Sequence, residues 1–158
     1  MAQSQVTHRI FEGELRFAVD VAPKAWARPR FTRDGRGYTP AEVTKHRNAI
    51  RLAALEARGA WEQRYSRTWP RFEGYDYRLF VTVYREARRG DWDNFAKQVD
   101  DALNGVLFAD DRQVWAGFCT RIDRDDPLWT GEPRYEVHLE AYRIEIEKIR
   151  KPRKKADE

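Results

Sequence analysis

Asp91 and Asp93, the pair Asp110-Asp111 and Lys97 have the types and spacing that phosphodiester chemistry asks for. Asp91 and Asp93 stand one residue apart, so in an extended chain both carboxylates point the same way, roughly 6 to 7 Å apart along the backbone. Two like charges that close are costly unless a cation sits between them or one carboxylate takes up a proton. Hard oxygen donors on a short turn suit Mg²⁺, with Mn²⁺ as a substitute; such an ion needs only one or two carboxylates and completes its shell with water and substrate phosphate. Asp110 and Asp111 offer the further carboxylate. In a strand their side chains face opposite ways, so one of the two is expected to join. Lys97, one helical turn after Asp93, can bring an ammonium to a phosphoryl oxygen. Phosphodiester hydrolysis needs this inventory: a metal to make hydroxide from water, and positive charge on the phosphoryl oxygens.

Each piece also has a purely structural explanation. Asp93 could cap a helix beginning at Asn94. Lys97 with Asp100 or Asp101 could be an exposed helical ion pair, and Asp110-Asp111 only a turn. It is the combination that favours a site.

The elements that must position these residues can be read from periodicity. Leu15, Phe17, Val19 and Val21 alternate as a half-buried strand, and a second strand is expected from about Tyr77 to Tyr84, leading towards Asp91. Phe95, Val99, Ala102 and Leu103 fall on one helical face, with Asn104-Gly105 as the stop. Further strands are expected at about Gln113 to Ile122 and Tyr135 to Ile144. Thr39-Pro40-Ala41-Glu42 reads as a capping box with proline at the first helical position, and the apolar stripe from Val43 to Ala57 predicts a helix over about 40–58 ending at Gly59. Ala60 to Tyr75 fits neither period and reads as an irregular connection. One domain is expected over 1–144, with 145–158 as a charged, flexible tail.

With 41% hydrophobic residues the chain can build a core, while 35% charged residues leave a very polar surface. Cys119 is the single cysteine, which excludes an intrachain disulfide or a cysteine zinc cluster and suits a strand or core position in a reducing compartment. No apolar run approaches a membrane span and the N-terminus lacks a signal-peptide core, so a cytoplasmic protein is expected. The net charge of +4 is modest, but its distribution is segregated. Pro23 to Gly37 holds Lys24, Arg28, Arg30, Arg33 and Arg36 against Asp34 alone, and its Pro, Gly and Asp34-Gly35 signals predict an exposed basic loop or hairpin. Arg88 and Arg89 form a short basic turn just before the acidic centre, and Lys148 to Lys155 is a second basic run.

The runs Gly90-Asp91-Trp92-Asp93-Asn94-Phe95-Ala96-Lys97, Asp101-Ala102-Leu103-Asn104-Gly105 and Asp110-Asp111-Arg112-Gln113-Val114 together resemble the signature of RusA-type Holliday-junction resolvases, particularly phage-encoded ones. Arg28-Pro29-Arg30-Phe31 and Tyr38-Thr39-Pro40 are similar to the segment before that family's first helix, and the resemblance spans about Leu15 to Ile144. It implies three metal-binding aspartates at Asp91, Asp93 and Asp111 and an important lysine at Lys97, which places Asp111 rather than Asp110 in the site. It also implies a small single-domain α+β fold, a mixed β-sheet packed against two main helices. A homodimer with two active sites and Mg²⁺-dependent paired cuts across a four-way DNA junction complete the picture. Trp92 departs from the small or branched aliphatic residue usual there and is expected to pack in the core, base stacking being the alternative. The connection from 60 to 75 is long for the family.

On this reading the aspartates hold Mg²⁺ at the scissile phosphate and Lys97 steadies the phosphoryl charge. Lys24, Arg28, Arg30, Arg33, Arg36, Arg88 and Arg89 grip phosphates of the junction arms, in recombination and repair. Three rival readings stand beside it: a Mg²⁺ nuclease acting on flaps or duplex DNA, a protein that binds junctions without cutting them, and one whose only nucleic-acid contact is the basic C-terminal tail.

Overall fold

In the computed structural model, which describes residues 4–24, 30–86, 88 and 90–149, a four-stranded sheet carries both helices on one face. The sheet order is β1 (Ser4–Val19), β6 (Arg134–Ile149), β4 (Tyr75–Arg85) and β5 (Val114–Asp123). β6 is antiparallel to both neighbours, while β4 and β5 are parallel. This mixed sheet with α1 (Ala41–Tyr65) and α2 (Trp92–Leu103) is the α+β fold expected, in one compact domain.

Alternation decides which face is covered. Leu15 and Val19 of β1, Tyr77, Leu79, Val81 and Val83 of β4, and Tyr135, Val137, Leu139 and Ala141 of β6 are buried under the helices. From α1 they meet Ile50, Ala54 and Trp61, and from α2 Phe95, Val99, Ala102 and Leu103. Truncating a core aromatic such as Phe95 to alanine should cost about 3–5 kcal/mol.

Several boundaries differ from expectation. Glu42 forms no capping box with Thr39: Pro40 stands at the N-cap without a side-chain bond, and Glu42 takes Lys24 Nζ at 2.7 Å instead. α1 also runs through Gly59 to Tyr65 and ends at Ser66 in the left-handed region (φ 51°). Packing overrides the glycine signal here, because Trp61 is buried edge-on against Trp69 with ring centroids 5.0 Å apart. The segment taken for an irregular connection is thus helix up to Tyr65, and its Trp69 is a core residue. β1 extends back to Ser4 and β6 onward to Ile149, pairing Ser4 with Ile149 and His8 with Glu145 where a tail was expected from Glu145. Residues 150–158 of that tail lie outside the described residues.

The basic segment is a hairpin. β2 (Arg30–Phe31) pairs with β3 (Gly37–Tyr38), and Gly35 at φ 76° supplies the turn where Asp34-Gly35 signalled one. Its base is anchored to the core: Tyr135 Oη accepts from Lys24 N at 3.1 Å and lies 2.9 Å from His46 Nε2. Burial pushes the His46 imidazole down to about 4, so it is neutral at physiological pH.

Candidate active site

Parallel strands require a crossover, and α2 is the crossover from β4 to β5. Its buried stripe, Phe95, Val99, Ala102 and Leu103, faces the core and turns the polar stripe to the edge of the sheet. Asp91 is the N-cap of this helix, with extended backbone (φ −80°, ψ 148°), and the helix starts at Trp92 rather than Asn94. Asp91 and Asp93 therefore do not form an extended pair: one stands at the cap and the other in the first turn. The Asp91 side chain makes no capping hydrogen bond. Asp93 Oδ1 accepts from Asn94 N at 3.0 Å, a weak local role, and both carboxylates are exposed.

The turn before Asp91 is held by a buried ion pair that the sequence reading did not anticipate. Arg85 Nε donates to Asp123 Oδ1 at 2.6 Å, joining the ends of β4 and β5, while its Nη1 donates to Gly90 O at 2.8 Å. Gly90 has φ 82°, a conformation only glycine takes without strain. The guanidinium beside Asp123 holds that carboxyl below the usual carboxylate range.

At the other end of α2 the turn carrying Asp110 and Asp111 is equally fixed. Arg58 donates to Val106 O at 2.8 Å and Trp69 Nε1 to Leu107 O at 2.9 Å, so α1 and its following loop supply the donors these carbonyls need. Asp110 caps a short 3₁₀ turn (Asp111–Gln113) in a reciprocal capping box with Gln113. Gln113 also donates to Phe72 O and Tyr75 O at 3.0 and 3.1 Å. Asp110 is engaged further by Arg112 at 2.8 Å, whose hydrogen bonds lower its pKa. The two aspartates are divided by role. Asp110 builds the turn, whereas Asp111 lines a cleft.

That cleft, of about 390 Å³, lies between α2 and the inner edge of β5. Trp92, Ala96, Lys97 and Asp100 form its helical wall; Val114, Gly117, Phe118 and Cys119 of β5 and Leu79 and Val81 of β4 form its floor. Of the residues proposed from sequence, the structure brings Lys97 and Asp111 together here. Asp91 and Asp93 are not among the lining residues. Asp93 shares the helical face of Lys97 and Asp100, at spacings of four and seven residues, but stands about 10 Å from Asp100 along the axis at about 1.5 Å per residue.

Asp100 is the residue that sequence reasoning missed. Its Oδ1 is buried without a hydrogen-bond partner, and burial together with the charge of Asp111 raises its pKa to about 6. The neighbouring Asp101 is served by Lys97 at 3.2 Å and Arg47 at 3.8 Å. Only its position on the polar face of α2 could have pointed to Asp100. Burial raises the Cys119 thiol, which stays protonated and is a poor ligand. An orphaned carboxylate oxygen beside a second carboxylate, with no thiolate competing, fits a hard divalent cation such as Mg²⁺ or Mn²⁺. Trp92 does not pack in the core as expected: it is 58% exposed at the cleft wall.

Of the basic residues, Arg30, Arg33 and Arg36 are exposed on the hairpin. Lys24 is bound to Glu42, and Arg88 to Asp125 at 2.8 Å and Asp123 at 3.6 Å. Arg28 and Arg89 lie outside the described residues. A second cluster, Glu14, His138 and Glu140, has its ligand atoms within 4.8 Å of one another on the opposite sheet face. Its carboxylates are answered: His138 Nε2 lies 2.7 Å from Glu14, Tyr142 Oη donates to Glu140 at 2.6 Å, and Arg78 pairs with Glu140 at 3.2 Å, although the buried Arg78 Nε makes no hydrogen bond. Among the described residues no helix is long and apolar enough to cross a membrane.

The family profile described as Endodeoxyribonuclease RusA matches residues 20–140, a span that contains the cleft, the hairpin and both acidic turns. Comparison with individual curated proteins returns no match.

Proposed function

The chain belongs to the RusA family of endodeoxyribonucleases, and from that premise we propose that it resolves four-way DNA junctions by paired, Mg²⁺-dependent cuts, with hydrolysis at the α2 cleft. The observation that carries this reading is the family match over residues 20–140, within which Asp111 and Lys97 meet in one cleft.

The family motif assigns Asp91, Asp93 and Asp111 to the metal, with Asp111 in the cleft and Asp91 and Asp93 at the start of α2 outside it; the ion, when bound, would supply an activated water and neutralise charge on the phosphoryl oxygens. The protein's own contribution is placement. Arg85 fixes the Gly90 carbonyl and so the start of α2, whose first free N–H groups and dipole favour a phosphate there. Gln113 and Asp110 fix Asp111 against the cleft. Asp101 holds Lys97 Nζ at 3.2 Å on the same wall, where the ammonium can swing to a phosphoryl oxygen as charge builds. The apolar floor of Leu79, Val81 and Val114 lowers the local dielectric and strengthens each of these interactions. Arg30, Arg33 and Arg36 reach phosphates of the arms, with Trp92 placed to stack on a base exposed at the branch point.

The junction's near two-fold symmetry suits a homodimer. The uncovered sheet face would offer it a contact surface, since Phe11, Trp115 and Phe118 are exposed there among interleaved Arg16, Arg78, Glu14 and Glu140. A twofold copy placed there meets no single-sign field. DNA as the substrate also implies action in the cytoplasm.

The test is cleavage of a labelled four-way junction against a linear duplex of the same sequence, each with Mg²⁺ and with EDTA. Symmetric, metal-dependent nicks in the junction alone are expected. Equal cutting of the duplex would favour a general Mg²⁺ nuclease, and binding without cutting a non-catalytic junction protein.

A further inference from the structure

We propose that Phe31, on the first strand of the basic hairpin, is a base-stacking residue: its ring takes an unstacked DNA base at the branch point, while Arg30, Arg33 and Arg36 beside it hold the flanking phosphates. The inference rests on the junction reading given above and deepens it by naming a residue that distinguishes a branch point from an unbroken duplex.

The hairpin is built to present this ring. Phe31 pairs with Gly37 across the two short strands, so no cross-strand side chain covers it. The ring lies so close to that glycine that a Cβ built at 37 would stand 3.4 Å from it. The turn beyond is closed by its own hydrogen bonds: Thr32 N donates to Arg36 O and Gly35 N to Thr32 O, both at 2.9 Å, and Arg36 N donates to Thr32 Oγ1 at 3.1 Å. Ahead of the hairpin Lys24 is held twice, its N–H by Tyr135 Oη and its ammonium by Glu42. An aromatic ring on a hairpin fixed in this way loses little conformational freedom when it binds.

Exposure is the second observation. At 73%, Phe31 is the most open of the large apolar side chains among the described residues. A lone exposed hydrophobic residue is ordinary on a protein surface, and what sets Phe31 apart is its company. Arg30, Arg33 and Arg36 are exposed, and among the described residues none of them pairs with an acid, Asp34 included. Arginines of the sheet, such as Arg9, Arg16, Arg78, Arg85 and Arg143, each meet a carboxylate. Leu128 is nearly as open as Phe31, at 67%, but follows Asp125 and Asp126 in an acidic turn. Free guanidiniums around an open ring fit a nucleic acid with an unstacked base. Its phosphates suit the arginines, and every base offers a π-face to the ring.

An intact duplex covers each base face with its neighbours in the stack. A four-way junction breaks the stack where strands exchange, and there a base face is available at the smallest cost. Phosphate contacts by arginine act on any DNA, whereas the stacking contact needs the break. Trp92 stands on α2 at the cleft, so the two aromatic residues belong to separate elements and take separate bases.

Binding of the full chain to a labelled four-way junction and to a linear duplex of the same sequence, measured in EDTA so that no cleavage intervenes, tests the proposal. Phe31→Ala should weaken junction binding about tenfold, the scale of one stacked base, and leave duplex binding within about twofold of wild type. Its salt slope on the junction should match wild type because no phosphate contact is lost, whereas Arg33→Ala with Arg36→Ala lowers that slope. Phe31→Trp should bind the junction like wild type. Phe31→Leu should bind like Phe31→Ala, since leucine keeps apolar bulk but has no π-face. All three should melt like wild type, because Phe31 lies outside the core. If Phe31→Ala binds the junction like wild type, if it loses junction and duplex affinity equally, or if Phe31→Leu binds like wild type, the proposal is overturned and the junction reading stands. If wild type itself binds duplex as tightly as junction, the junction reading falls and this inference falls with it.

Discussion

Two groups of acids sit on opposite faces of one sheet, and they differ in what answers their charge. On the open face Glu14 and Glu140 lie directly across β1 and β6, and His138, Arg16, Arg78 and Tyr142 close around them. The hydrogen bond from His138 lowers the pKa of Glu14. In the cleft Asp100 and Asp111 face one another across an apolar floor, and the pKa of Asp100 moves the other way, to about 6. In the first group every carboxylate has a partner. In the second, Asp100 Oδ1 is left without one.

Stability measurements can break this comparison, because removing a group from a satisfied network and from an unsatisfied one should have opposite signs. The largest effect is expected at the buried Arg85–Asp123 pair. Arg85→Met leaves Asp123 with only the longer Arg88 and Arg121 pairs, at 3.6 and 3.5 Å, and should cost up to about 3–5 kcal/mol in denaturant unfolding. A loss below about 1 kcal/mol would mean that the pair does not anchor the turn to Asp91. At Asp100 the sign reverses. In EDTA at pH 7.5, Asp100→Asn should stabilise the protein by about 1–2 kcal/mol, the full pKa shift being discounted for partial solvent screening.

The pH dependence sharpens the same point. The folded pKa of Asp100, about 6, exceeds the ordinary 3.8, so the folded state binds more protons between those values. Its penalty is complete above pH 6 and fades as the pH falls towards 4. The stabilisation by Asp100→Asn should therefore shrink over that window when melts of the two proteins are compared. His46 acts oppositely. Its pKa is depressed from 6.5 to about 4, so wild-type stability is lost as the pH falls through that range, and His46→Gln should flatten the loss. The smallest effect is expected on the hairpin, where Arg33→Ala with Arg36→Ala should reduce the salt slope of junction binding by about two, at about 0.9 per phosphate contact.

Much of the fold was legible because periodicity and burial agree. The strand over 77–84, the helix carrying Phe95, Val99, Ala102 and Leu103, and the hairpin signalled by Asp34-Gly35 stand where their patterns put them. The failures share a cause: long-range packing decided against a local signal. Gly59 does not end α1, because Trp61 beyond it is drawn into the core beside Trp69. Glu145 to Ile149 read as a tail by charge, yet the alternating Ile144 and Ile146 belong to a strand that needs the N-terminus of β1 as its partner. At the site, Asp91, Asp93, Lys97 and the Asp110-Asp111 pair were singled out by type and spacing; the family resemblance chose Asp111 within that pair, and Asp110 builds the turn. Asp100 was read only as an ion-pair partner for Lys97, because its burial and the charge of Asp111 acting on it depend on how two elements pack, which one-dimensional spacing does not reveal.

The central claim is that the carboxylates at α2 and its cleft, not those of the open face, support DNA cleavage. Single-turnover nicking of a labelled four-way junction in Mg²⁺ by wild type, Asp111→Asn and Glu140→Gln tests it directly. Asp111→Asn should lower the rate at least about 100-fold while still binding the junction, since loss of even an outer partner of a metal site costs about 10–100-fold. Glu140→Gln should stay within a few-fold of wild type. Wild-type cleavage by Asp111→Asn, or its loss in Glu140→Gln alone, would contradict the account.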